Sequence, residues 1–174
     1  MLGRGKESKF VTTEEQDRYV RGLNAQIRAD VLPQIEGLRQ MGRSQMGDVD
    51  PVNIARKSDE FYRLMKVEAS EQVRSAWMAE NTSGTAEQML IHTAVQRKQV
   101  ESQLQYIDEM LPKLPEDARG ALTEYRTHTV ETLGRIDEMT FQVHRMAEGQ
   151  KISIERLDGL EAAAKGMLSA LGER

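Results

Sequence analysis

Three histidines, His92, His128 and His144, with the acids around them, are the residues best suited to hold a metal or move a proton. On a helical chain they would suggest a carboxylate-bridged di-iron site. That site takes two Glu-x-x-His motifs and two further inward glutamates. Three positions before the histidines stand Met89, Tyr125 and Phe141, so the motif fails each time. Glu124 and Glu131 flank His128 at one turn on either side, the pattern of a solvated helix face. A hydroxyl nucleophile needs a positioned base and a third, orienting group. The serines are scattered, and no G-x-S-x-G elbow occurs. No glycine-rich phosphate loop is present either. Cysteine is absent, which excludes disulfides, thiolate metal sites and cysteine nucleophiles. We therefore expect no enzyme activity, no cofactor, no metal and no small-molecule substrate.

Phosphate contacts are the next chemistry to weigh. Arg56, Arg63 and Arg74 follow one another at steps of 7 and 11, which places them in one sector of a continuous helix, with Lys66 nearby. A basic stripe of this kind can track phosphates. Glu60 and Glu71 share the sector, however, and interleaved signs describe a salt-bridged, solvated face. The formal net charge is −4, whereas free nucleic-acid binders are more often basic. Nucleic-acid association rests on these arginines and on Arg4, Lys6 and Lys9 near the start, and it ranks below protein interaction.

Protein interaction has wider support. Trp77 and Met78 sit at a predicted helix end beside Asn81-Thr82-Ser83-Gly84, a cluster of turn formers. Trp77-Met78-Ala79 lacks the glycine of a W-x-G turn, and no motif ties the chain to a known family. Phe61 and Tyr62 are adjacent, as are Leu90 and Ile91, and Met167 and Leu168. Neighbours on a helix point about 100° apart, so such pairs widen an apolar face beyond one narrow seam. Trp77, Met78, Phe61, Tyr62, Ile91, Met167 and Leu171 are accordingly the expected partner interface. A ligand-binding or sensory bundle is the alternative. Its pocket would be lined by Met65, Met139 and Met146, with His128 or His144 as polar anchor.

These residues must be carried by helices. Of 174 residues, 39% are hydrophobic, 30% charged and only 5% aromatic, with 10 methionines. A thin helical protein has this composition, because its core is narrow and its surface large. Residues 1–11 read as a flexible basic arm. Thr12 and Glu15 have capping-box spacing. Val20, Leu23, Ile27, Val31, Ile35, Leu38 and Met41 then recur at three or four residues, one helical stripe. Pro33 predicts a kink or break near Asp30. Asp50-Pro51 opens a second helix, and Thr85 with Gln88 a third. Pro112 and Pro115 close the third. A fourth runs from Pro115 to a predicted C-cap at Gly149, and a weaker fifth carries Leu157, Leu160, Ala164, Met167, Leu168 and Leu171.

The expected fold is all-α, an elongated antiparallel helical bundle of four long helices plus a shorter C-terminal helix. The helices lie near 12–46, 51–80, 85–111, 115–148 and 153–171, and 12–174 form a single domain. No stretch approaches the ~18 apolar residues of a membrane span, and no apolar segment follows the polar start as in a signal peptide. The expected location is cytoplasmic, including a component of an exported or phage assembly. The expected function is that of a non-enzymatic helical interaction protein, a structural, adaptor or chaperone-like part of a larger assembly that also self-associates.

Overall fold

The structure, a computed structural model, describes residues 12–170; the expected basic arm and Leu171 lie outside the described residues. Every regular element among the described residues is helical, and none is a strand. The elements are α1 (Thr13–Gln26), a π-helical turn (Ile27–Val31), α2 (Leu32–Met46), α3 (Pro51–Lys66), α4 (Glu71–Asn81), α5 (Thr85–Met110) and α6 (Arg119–Ala170). Two short 3-10 turns, Leu111–Lys113 and Glu116–Ala118, precede α6. No helix among the described residues is long and apolar enough to cross a membrane. The described residues divide into two compact units: a terminal unit, residues 12–41 and 153–170, and a central unit, Gly42–Ile152.

The helix starts follow local chemistry. Thr12 Oγ1 accepts from the Glu15 N–H at 3.2 Å, and the Glu15 carboxylate accepts from the Thr12 N–H at 3.3 Å. This reciprocal box satisfies two donors that the first turn leaves without helical partners. Asp50 accepts from the Val52 N–H at 3.2 Å, with Pro51 at the first helical position. Pro33 has no N–H and crowds the carbonyl one turn before it. The helix absorbs this as a π turn, in which the Leu32 N–H reaches back to the Ile27 carbonyl. The buried positions Asn24, Ile27, Ile35 and Arg39 are spaced three, eight and four apart. The step of eight is a heptad plus one residue, and the π turn takes up the extra residue.

In the terminal unit, α1 and α2 pack against the end of α6. Ile27 clusters with Ala164 and Leu168, and half-buried Leu32 packs on them. Arg39 pairs with Asp158 and Glu161. The contacts run backward along α6 as they run forward along α2, so the two helices are antiparallel.

The central unit holds the larger core: Ile54 and Phe61 of α3, Ala86, Leu90, Ile91 and Val95 of α5, and Val143 and Ala147 of α6. Lys57 pairs with Glu87, and Tyr62 lies beside Lys98. These contacts advance in the same sense along both helices, so α3 and α5 are parallel, whereas the expected bundle is antiparallel. The second expected helix causes the difference, because it is two helices. α3 ends at Lys66, Glu68 takes a left-handed φ of 52°, and Ser70 restarts the chain by accepting from the Val73 N–H at 3.3 Å. The short α4 then returns the chain to the start of α5.

Two more expectations are corrected. Thr85 is the first residue of α5 and does not cap it; Gly84 stands at the cap. The predicted stop at Gly149 is absent, and the expected fourth and fifth helices are one, α6, of 52 residues. A helical glycine costs about 1 kcal/mol relative to alanine but does not end a helix by itself. No proline follows Gly149 to force the end.

Candidate interaction face

In the terminal unit, the seam between the antiparallel helices has two unlike sides. On one side stands buried Arg39. Its Nε donates to Asp158 Oδ1 at 2.8 Å, and its terminal nitrogens donate to Glu36 and Glu161. Hydrogen bonding to Glu161 is the main reason that the guanidinium pKa is raised, burial opposing it. Glu161 in turn is held below the usual carboxylate range, first by Lys165 at 2.8 Å and then by Arg39.

Leu38 and Leu160 are one residue from Arg39 and Glu161, so they project about 100° away, on the other side of the seam. There they line an apolar groove of about 580 Å³ together with Leu23, Val31, Leu157 and Met167. The only polar side chains in its lining, among the described residues, are the amides of Gln26 and Gln34. No charged residue lines it, in a chain that is 30% charged. The apolar side chains are open to solvent: Leu38 is 53% exposed, Leu160 57% and Met167 51%. Met41, at 58%, extends the row. Large uncovered apolar surface with a polar surround is characteristic of association sites.

Of the residues expected to meet a partner, Met167 lies in this groove and Leu171 is outside the described residues. The others belong to the central unit. Phe61 and Ile91 are buried in its core, which takes both out of any exposed face. Trp77 and Met78 are half-buried at the edge of that core, with the Trp77 ring 5.2 Å from Phe61. Tyr62 is half-buried, with Lys66 Nζ 4.6 Å from its ring centre. Its hydroxyl pKa is lowered, first by a hydrogen bond to Ser102 and then by Lys66, against burial. The doubled apolar positions of α3 and α5 thus widen a core that three helices share. Val31, Leu38 and Leu160, apolar stripe positions in the sequence, are outside the expected partner interface but stand on this face.

The three arginines are not on one helix. Arg56 and Arg63 belong to α3 and Arg74 to α4, beyond the break at 67–70. Arg56 is engaged by Glu60 at 2.9 Å and by Asn53 at 2.8 Å. The continuous phosphate-tracking sector therefore does not form.

The methionines proposed for a pocket separate as well. Met146 lines a recess of about 290 Å³ with Met89 and Val143 in the central unit. Met65 packs at the core and Met139 is exposed. His128 lies in the open, 3.5 Å from Glu131, and neither it nor His144 lines that recess. Among the described residues no three His, Asp or Glu side chains gather as a metal site.

One buried polar cluster lies in the central unit. Glu87 is fully buried, pairs with Lys57, and accepts from the Ser83 N–H at 2.8 Å and the Ser83 hydroxyl at 2.9 Å. Burial works against its charge, but Lys57 and the two Ser83 donors outweigh it and lower the carboxyl pKa. All its acceptor bonds are internal, which is the arrangement of a structural clamp joining α3 to the loop before α5.

No protein-family model matches the chain, and comparison with curated proteins and with solved structures gives no match.

Proposed function

We propose that the protein is a non-enzymatic helical interaction protein, a structural, adaptor or chaperone-like component of a larger protein assembly. The observation that carries this reading is the uncharged apolar groove of the terminal unit, open at Leu38, Leu160 and Met167. An amphipathic helix laid into such a groove would use its own apolar side chains as anchors at helical spacing. The polar clusters suit this role. Arg39 and Glu87 are tied into internal ion pairs that hold helices together. The chain would work in the cytoplasm or in a particle assembled there.

The test is co-purification of the tagged full chain from its native cell after brief crosslinking. The reading expects a stoichiometric protein partner whose recovery is lost with Leu38→Glu and Leu160→Glu together. Recovery of neither another protein nor an untagged copy of the chain, or a partner indifferent to both substitutions, would count against it.

A further inference from the structure

We infer that the terminal unit closes its groove on the same face of a second copy of this chain, so that two helix pairs form one four-helix core around a two-fold axis. The inference rests on the interaction reading and names the partner.

Two antiparallel helices cannot cover their own apolar surface. In the terminal unit the seam buries Ile27, Ile35, Ala164 and Leu168. Val31, Leu38, Met41, Leu160 and Met167 remain between 37% and 58% exposed. Covering that row needs at least one more helix, and a second pair covers both sides of it.

Charge selects the occupant. Across a two-fold axis a surface meets itself, so any charge near the axis faces its own copy. Like charges placed opposite each other disfavour a complex. The groove lining carries no charge, although the chain as a whole is 30% charged with a net −4. Its polar groups, Gln26 and Gln34, are primary amides. An amide side chain holds both donor and acceptor and can pair with its own symmetry mate. A carboxylate or an ammonium group cannot. A groove shaped for a charged partner helix would carry the complementary charge on its walls.

The area is sufficient. Leu23 to Met41 spans about 27 Å of helix, and two helices side by side are about 20 Å wide. Each copy would then contribute about 540 Å², or about 1,100 Å² in total, just above the ~1,000 Å² that a specific interface requires. Such a dimer is reversible and depends on concentration.

The test is sedimentation equilibrium of the full chain up to about 0.5 mM, a range that reveals micromolar association. The mass should rise from 19.7 kDa toward twice that value, and Leu38→Glu with Leu160→Glu should abolish the rise while circular dichroism shows helicity retained. In case that variant unfolds, the natural absence of cysteine supplies a second measurement. Gln34→Cys should form an inter-chain disulfide under mild oxidation far faster than Glu155→Cys, because position 34 lies in the groove and 155 outside it. A parent chain that stays at 19.7 kDa throughout, or equal crosslinking at 34 and 155, overturns the inference. If that monomer still holds a different protein through Leu38 and Leu160, the interaction reading stands and the second copy is excluded. If nothing is held, both fall.

Discussion

Gly84 and Gly47 meet backbone to backbone: a methyl group at Gly84 would lie 2.3 Å from the Gly47 amide nitrogen, and one at Gly47 would lie 2.6 Å from that of Gly84. Gly47 also holds a left-handed φ of 65°, which glycine adopts without steric penalty. The contact brings together the end of α2 and the start of α5, and the Asp48 N–H donates to Ser83 Oγ at 2.9 Å beside it. Backbone atoms on both sides cannot yield as a flexible side chain would. Gly84→Ala should therefore destabilise the central unit by about 1–3 kcal/mol, the usual range for overpacking. Gly47→Ala should cost more, because it adds the left-handed penalty of about 1–2 kcal/mol. Urea unfolding followed by circular dichroism measures both. A loss under about 0.5 kcal/mol at Gly84, the range of ordinary surface changes, would refute the tight crossing.

The clamp at Glu87 makes two predictions. Glu87→Gln keeps an oxygen for the Ser83 donors but leaves Lys57, itself nearly buried, without a counter-charge. Breaking a buried pair from one side costs about 3–5 kcal/mol, and the exposed fraction of Lys57 puts the expectation at the low end, about 3 kcal/mol. Adding Lys57→Met should recover part of that loss, since no charge is then stranded. The pH response has a definite sign. The folded pKa of Glu87 is depressed, so its contribution is fully present above the ordinary glutamate value of about 4.3. It is lost as pH falls through the lower folded value. Acid titration of stability should therefore be shallower in Glu87→Gln than in the parent below about pH 4.3.

Much of the helical plan was legible because prolines and caps act locally. Thr12, Asp50-Pro51, Pro33 and the Pro112/Pro115 pair each act where the residue types indicate. The break at 67–70 was not legible. Val67 and Ala69 suit a helix, and the one cue, Ser70 before Glu71, resembles any solvated serine. The interaction face was hidden for a different reason. The apolar stripe from Leu23 to Met41 reads as a core row, yet the seam runs through Asn24, Ile27, Ile35 and Arg39. A buried arginine is recognised only once its carboxylates are known, and Asp158 and Glu161 are more than a hundred residues away in sequence. An apolar row of this kind resembles an interior one, yet half of it faces out.

Glu68 offers a gain of stability. It sits just past the end of α3 with φ of 52°, in the left-handed region. Glycine is the favoured residue at such a helix end. Glu68→Gly should stabilise the central unit by about 1 kcal/mol, the lower end of the left-handed penalty, the greater entropy of an unfolded glycine offsetting the rest. Thermal unfolding should show a rise. A fall would mean that Glu68 makes a contribution at the α3–α4 turn that outweighs its strained backbone.

Arg39 is the counterpart of Glu87 in the terminal unit, and its substitution separates the two units. One guanidinium serves Glu36, Asp158 and Glu161 through different nitrogens. A lysine ammonium is a point charge without that planar fork, so Arg39→Lys keeps the charge and loses the geometry. Amide hydrogen exchange should then quicken in residues 13–41 and 153–170, while protection of Leu90, Ile91 and Val95 in the central core stays as in the parent. Acid should act in the same direction. Glu161 titrates below the usual carboxylate range, so its hold on Arg39 is complete above that range and is lost as pH falls through the depressed value. Loosening of the terminal unit that begins at a higher pH in Arg39→Lys than in the parent, with the acid response of the central unit around Glu87 the same in both, is the expected outcome. Uniform loosening of both units would show that Arg39 supports the whole chain and not one helix pair.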